Sequence, residues 1–175
     1  MIYVLKKDID NDVIMAKESS IKNRDKKERS WYAVASGIAN ERLIEKLTGT
    51  SFVNLDYNMK KNYAESDMLP AGYDIGVKGA DKERYYWFSQ SDFCHPQFLV
   101  EKKEILLPTI HNRMEPAYVI KRLWIYTPDM YKNIIFGKDG SSDKDYVRKR
   151  CNMMFSRNPL TDIKQVMKIL DKYKL

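Results

Sequence analysis

Apolar residues recur at helical spacing in two parts of the chain. The first part runs from about Ser30 to Leu47, where the apolar positions fall close to a 3.6-residue period. Thr48-Gly49-Thr50 should end this helix, because glycine readily adopts the left-handed conformation found at helix C-termini. The second part is a C-terminal helix predicted to start near Asn158-Pro159. Its apolar stripe, with lysines on the other face, consists of Ile163, Val166, Met167 and Leu170.

Short runs rich in β-branched and aromatic residues predict strands elsewhere in the sequence. The predicted strands are Met1–Leu5, Phe52–Leu55, Tyr73–Val77, Arg84–Ser89, Gln97–Leu106 and Tyr118–Tyr126. Tyr73–Val77 and Arg84–Ser89 are expected to pair as a hairpin through residues 78–82. Proline just inside its start favours a short helix over Met130–Ile134.

Polar and turn-rich stretches separate these elements and are predicted to be loops. They are Lys22–Arg29, which could also be the exposed start of a helix, Asn58–Pro70 and Gly137–Asp145. None of them is a Pro- and Gly-rich linker, so the sequence predicts one domain over residues 1–175. The order of elements predicts an α/β fold with a mixed central sheet of about four to five strands flanked by helices.

Composition narrows the possible classes of protein. The chain has 175 residues, 43% of them hydrophobic and 31% charged, as in a globular domain. We find no apolar run near the roughly 18–20 residues that a membrane span needs and no secretory signal, so we expect a cytoplasmic protein that does not enter membranes. Two cysteines are too few for a disulfide framework.

The net charge of +7 favours a polyanionic partner, because clustered lysine and arginine release counterions from phosphates. The same excess of lysine, together with many asparagines, also fits AT-biased coding in a phage or a bacterium. In that case the lysines only form a solvated surface.

Several catalytic classes find no motif in this sequence. The chain has no glycine-rich phosphate loop and no G-x-S-x-G sequence. Cys94, His95 and His111 lack the spacing of zinc ligands, and neither histidine has a recognisable nucleophile partner.

Three carboxylates and one lysine remain as candidates for chemistry. Glu41 falls on the first predicted helix, and Asp74 falls at a strand start in GYDIGVKG. Glu101 and Lys103 form an E-x-K pair that a strand would place on one face, since successive side chains alternate. Hard oxygen ligands of this kind hold Mg²⁺ or Mn²⁺, the metal lowers the pKa of a bound water, and a lysine can orient that water.

A helix glutamate, an aspartate at a strand start and E-x-K on a following strand together resemble the PD-(D/E)XK nuclease superfamily, which has the restriction-endonuclease-like fold. The downstream sequence LWIYTP, the short DMYKN helix and the GKDG loop also resemble its small members. The resemblance covers about Ala39 to Leu170. It implies that Asp74, Glu101 and Glu41 bind the metal and that Asp74, Glu101 and Lys103 catalyse DNA hydrolysis.

A second group of residues favours nucleic acid without requiring catalysis. Arg148, Lys149 and Arg150 follow Tyr146, and cations beside an aromatic ring suit a phosphate-lined groove or stacked bases. Tyr85, Tyr86 and Trp87 could form a stacking platform, although aromatic residues in strands are usually core.

Three functions are therefore open at the level of sequence. The first is a Mg²⁺-dependent DNA endonuclease, which could act as a homodimer. The second is an inactive nuclease-fold protein that binds nucleic acid or inhibits a protein partner. This second function is expected if the strand paired with Tyr73–Val77 is Arg84–Ser89, because Arg84–Ser89 lacks E-x-K. The third is an interaction module whose basic charge is compositional.

Overall fold

The computed structural model describes residues 1–21, 31–55, 65–79, 95–128, 160 and 162–175, with the backbone alone described at 19–21 and 126. In these ranges the chain is mixed α/β, with one four-stranded sheet and three α-helices. This confirms the α/β class. The elements are β1 (Tyr3–Leu5), α1 (Lys6–Ile21), α2 (Trp31–Thr48), a 3₁₀ turn (Leu69–Ala71), β2 (Gly76–Gly79), β3 (Gln97–Pro108), β4 (Met114–Tyr126) and α3 (Ile163–Lys172).

The strands lie in the order β1-β4-β3-β2. β4 is antiparallel to both β1 and β3, whereas β2 is parallel to β3, with Gly76 opposite Gln97. The two long strands therefore form the centre of the sheet. The predictions of β1, β3, β4 and α2 are confirmed, and Gly49 has the positive φ of 70° expected at the end of α2.

One face of the sheet carries the main hydrophobic core. Phe98 and Val100 of β3 and Leu123 of β4 pack there with buried residues of all three helices. The helix residues in this cluster are Ile9, Val13 and Ala16 of α1, Ile38, Ala39, Leu43 and Ile44 of α2, and Val166 and Leu170 of α3. We call this side of the sheet the helix face. Side chains on the other side, including Leu99 and Trp124, are also buried.

The prediction of a strand at Phe52–Leu55 is wrong. The backbone N–H groups of Phe52 and Val53 both donate to Oε1 of Glu45, at 2.7 Å each, instead of to a neighbouring strand. Glu45 is buried near the end of α2, and its other oxygen accepts from Arg42. A single carboxylate thus provides the hydrogen bonds that a strand partner would have provided.

The predicted hairpin is corrected in its first strand. β2 starts at Gly76 rather than Tyr73, and its partner among the described residues is β3, in parallel. Tyr73 instead forms an isolated antiparallel bridge with Lys174, and the N–H of Asp74 donates to the Tyr173 carbonyl. The end of the chain therefore occupies the position where the strand was expected to begin. Arg84–Ser89 lies outside the described residues.

Of the two remaining helices, α3 starts later than predicted and α1 was not predicted. α3 begins at Ile163 instead of near Pro159, because the side chain of Asp162 accepts from the N–H of Lys164 at 3.0 Å and caps the helix. Helix α1 was not predicted. Its buried positions have helical spacing, but exposed Ile14 and Met15 blur the apolar stripe.

The predicted helix at Met130–Ile134 and the loops at Lys22–Arg29 and Gly137–Asp145 fall outside the described residues. Among the helices that the structure does describe, none has the length and apolar character that crossing a membrane requires.

Candidate functional site

The E-x-K residues lie on the face of β3 that points away from the helices. Phe98 and Val100 point into the core, and Lys102 reaches α2, so alternation directs Glu101 and Lys103 to the opposite side. The two residues of the E-x-K pair therefore share a face, as their spacing predicts. Glu101 is buried, at 7% exposure, whereas Lys103 is exposed.

Two cations of β4 bind the Glu101 carboxylate. Lys121 donates from Nζ to Oε1 at 2.8 Å, and Arg122 donates from Nε to Oε2 at 2.5 Å and from Nη2 to Oε1 at 3.3 Å. Burial opposes ionisation of this carboxyl, but these hydrogen bonds outweigh burial, and the pKa of Glu101 lies below its usual value. Glu101 is therefore an ionised acceptor already engaged by two cations.

A β-bulge makes this arrangement possible. Glu101 lies opposite Arg122, but Lys102 lies opposite Ile120, so Lys121 is an extra residue in β4. Adjacent strand residues normally point to opposite faces, whereas at a bulge both can point to one face. Lys121 and Arg122 accordingly both reach Glu101.

The ring of Trp124 packs against the guanidinium group of Arg122. The guanidinium carbon of Arg122 lies 5.5 Å from the centroid of the Trp124 ring, which is itself buried. A guanidinium above an aromatic ring gains a cation–π attraction, and its forked hydrogen bonds to Glu101 fix its orientation. These two contacts together hold Arg122 in one orientation.

Lys103, Lys121 and Arg122, with Glu101 between them, form a group that we call the cationic cluster. Lys103 lies two residues from Glu101 on the same strand and opposite Val119 in the neighbouring strand. Two of the cations bind the Glu101 carboxylate, and the side chains of Lys121 and Arg122 are 39% and 32% exposed. The cluster therefore has a net positive charge that is accessible to solvent.

Asp74 lies at the other end of the β2–β3 pairing. It precedes Gly76 by two residues, whereas Glu101 follows Gln97, the partner of Gly76, by four. At about 3.3 Å per residue, the four positions from Gln97 to Glu101 alone correspond to about 13 Å along β3, and Asp74 precedes the start of β2. Ligands of one metal ion lie within a few ångströms of each other. The structure thus does not bring Asp74 into the surroundings of Glu101.

Glu41 lies on the helix face of the sheet. It is half-buried on α2, between Asn40, which contacts Lys102, and Arg42, which binds Asp12 of α1. Since Glu101 points to the opposite face, the sheet itself separates these two carboxylates.

A second polar group connects α2 to β3. Nζ of Lys102 donates to Oγ of Ser36 at 2.7 Å and to Oδ1 of Asn40 at 3.1 Å. Asn40 is buried, at 2% exposure, so its carbonyl needs such a donor. This lysine therefore fixes α2 against the sheet, and it lies on the opposite face from the cationic cluster.

The carboxylates predicted to hold Mg²⁺ do not form one donor set in this structure. Asp74 is distant along the strands, Glu41 lies across the sheet, and Glu101 is engaged by cations. Nor do His, Cys, Asp and Glu form any group of three suited to a metal ion in the described ranges. The predicted basic residues Arg148, Lys149 and Arg150 lie outside those ranges.

Sequence reasoning found Glu101 and Lys103 but missed Lys121, Arg122 and Trp124. The consecutive cations in YVIKRLWIY were visible inside a predicted strand. Simple alternation would direct only one of Lys121 and Arg122 to the face of Glu101. The sequence gives no sign of the bulge that lets both reach it.

Comparison with family models, with curated protein sequences and with solved structures gave no match to this chain.

Proposed function

We propose that this chain binds the phosphate backbone of nucleic acid through the cationic cluster and does not hydrolyse it at Asp74 and Glu101. The observation that carries the proposal is the cluster itself. Three cations share one sheet face, and a buried carboxylate and an indole ring hold Arg122 in a fixed orientation.

The chemistry of the cluster suits a phosphodiester. Glu101 uses Nε and one N–H of Nη2, so Arg122 keeps three N–H donors, on Nη1 and Nη2, for phosphate oxygens, and its orientation, fixed before binding, reduces the entropy lost on association. Lys103 adds an exposed point charge, and Lys121, which binds Glu101, adds a second charge that is partly exposed. The net charge of +7 on the whole chain adds long-range attraction for a polyanion.

The same residues favour binding over the metal-dependent cleavage that the sequence suggested. Lys121 and Arg122 already use the carboxylate that a metal would need. By strand register, the start of β2 lies about 13 Å from Glu101, and Asp74 precedes that start. The restriction-endonuclease-like fold stays part of this proposal. It is supported by the order of α2, Asp74 before β2, and E-x-K on β3.

The test is a binding titration of the full chain with a fluorescent DNA duplex at 0.1 M salt. The K103Q/K121Q variant removes two exposed cations while leaving Arg122 on Glu101. By counterion release, each lost phosphate contact should cost about tenfold in affinity at this salt concentration. The matched control is K164Q/K168Q, which removes two exposed lysines of α3, the helix packed on the helix face.

The proposal predicts a large loss of affinity for the first variant and a small one for the control. Equal losses would mean that net charge, and not the cluster, causes binding. A parallel plasmid-nicking assay with Mg²⁺ or Mn²⁺ should show no cleavage that depends on Asp74. Cleavage by the wild type that Asp74→Ala abolishes would overturn the proposal in favour of the nuclease.

A further inference from the structure

A carboxylate lies at the centre of the surface proposed to bind a polyanion. Glu101 is 7% exposed, and it lowers the net charge of the cationic cluster from three positive charges to two. Coulomb's law alone therefore predicts that Glu101 repels phosphate and that its removal strengthens binding. The contacts of Glu101 point to a contribution that offsets this repulsion.

The carboxylate of Glu101 occupies one edge of the Arg122 guanidinium. Nε donates to Oε2 at 2.5 Å, and one N–H of Nη2 donates to Oε1 at 3.3 Å. The three other N–H donors of the arginine, two on Nη1 and one on Nη2, donate to no acceptor in the part of the chain that the structure describes. They include the parallel pair on the Nη1–Nη2 edge, whose fork matches two oxygens of one phosphate group. Glu101 therefore leaves a complete fork for a ligand.

Glu101 and Trp124 together restrict the orientation of that fork. Glu101 is itself held by Nζ of Lys121 at 2.8 Å. The ring of Trp124, which is 6% exposed, has its centroid 5.5 Å from the guanidinium carbon of Arg122. A partly exposed arginine without such contacts loses rotational freedom when it binds a ligand, which lowers the affinity by roughly two- to tenfold. Contacts made before binding reduce that loss.

We infer that Glu101 is a positioning residue, which holds Arg122 so that its Nη1–Nη2 edge binds both free oxygens of one backbone phosphate. The carboxylate thereby raises the affinity for a polyanion despite its own charge. Its repulsion of the phosphate acts across the guanidinium and partly through water, which screens it, whereas a loss of orientation would act on the hydrogen bonds themselves. This inference rests on the proposed function, since the phosphate contact belongs to the same cationic cluster.

The test compares two variants that lose the same charge, in titrations with the DNA duplex at 0.1 M salt. Glu101→Gln and Glu104→Gln each raise the net charge of +7 by one. Glu104 lies on the same strand, but its side chain is 51% exposed and binds Lys6 of α1. We expect Glu101→Gln to bind roughly two- to tenfold more weakly than the wild type, and Glu104→Gln to bind at least as tightly as the wild type. Equal affinities of the two variants would overturn the inference.

Arg122→Lys tests the same link from the side of the arginine, because lysine keeps the charge but has no planar fork. We expect this variant to bind roughly two- to tenfold more weakly, and Glu101→Gln to cause no further loss in its background. A role of Glu101 in stability alone would lower the melting temperature without this coupling in the affinity of the folded protein. If Glu101→Gln does not fold, Arg122→Lys decides alone, and wild-type affinity of that variant overturns the inference.

A failure of the inference is distinguishable from a failure of the proposed function. If the wild type binds no duplex at low salt, both are overturned. If K103Q/K121Q weakens binding as proposed but Glu101→Gln binds more tightly than the wild type, the positioning role is overturned while the proposed function stands. Additive losses in the double-mutant cycle also overturn the positioning role, because they would show that Glu101 and Arg122 act independently.

Discussion

Glu101 keeps a negative charge in a buried position because two cations of β4 donate to both of its oxygens. The E-x-K spacing in the sequence predicted its face correctly but suggested a metal as its partner. In this structure its partners are Lys121 and Arg122 of the neighbouring strand β4. The carboxylate therefore holds two side-chain cations in place. The partners of Glu101 among the described residues are therefore side-chain cations.

The low pKa of Glu101 predicts a particular loss of stability in acid. A carboxyl whose pKa is lower in the folded than in the unfolded state stabilises the fold above its unfolded pKa of about 4.3. This contribution fades as the pH falls through the lower folded pKa. Urea unfolding at pH 7 and pH 3 should therefore show a larger drop in free energy for the wild type than for Glu101→Gln. Equal drops would contradict the assigned ion pairs.

Glu45 gives a second prediction at this scale. Its carboxylate accepts from the N–H groups of Phe52 and Val53 and from Arg42. Glu45→Ala would leave buried N–H groups without an acceptor, so we expect the free energy of unfolding to fall by roughly 2–4 kcal/mol. Glu18→Ala, at an exposed position of α1, is the control and should change stability little. A loss below about 0.5 kcal/mol for Glu45→Ala would show that water replaces the carboxylate.

At the scale of elements, the sequence predicted those with a strong local pattern. α2 was predictable from its helical spacing of apolar residues, and β3 and β4 from runs rich in β-branched and aromatic residues. The parallel pairing of β2 was not, because β2 has four residues and its partner lies about twenty positions along the chain. The bulge at Lys121 was also out of reach, since it depends on how two strands fit together. The candidate site was therefore predicted only on its β3 side.

The contact between α2 and the sheet predicts opposite effects for two glycine substitutions. A Cβ added at Gly79 would lie 2.5 Å from Nδ2 of Asn40, a buried residue that also binds Lys102. Gly79→Ala should therefore destabilise the fold by about 1–3 kcal/mol. A Cβ at Gly37, within α2, meets nothing within 4 Å, so Gly37→Ala should raise helix stability by up to about 1 kcal/mol. Thermal unfolding of both variants measures this, and a stabilised Gly79→Ala would contradict the described packing.

At the scale of the whole molecule, the sheet separates two kinds of polar group. The helix face carries the Lys102 contacts that fix α2, whereas the opposite face carries the cationic cluster. Substitutions on the helix face should therefore act mainly on stability, and those of the exposed Lys103 and Lys121 mainly on ligand affinity. Lys102→Met should lower the melting temperature with little change in the DNA affinity of the folded protein. A large affinity loss in a variant that melts like the wild type would contradict this division.

The most direct test of the proposed function is the salt dependence of DNA binding. The logarithm of affinity against the logarithm of salt concentration has a slope of about −0.9 for each phosphate neutralised. We predict that K103Q/K121Q makes this slope shallower by about 1 to 2, while K164Q/K168Q leaves it unchanged. An unchanged slope for K103Q/K121Q would show that the cationic cluster does not contact phosphate, and the proposed function would be wrong.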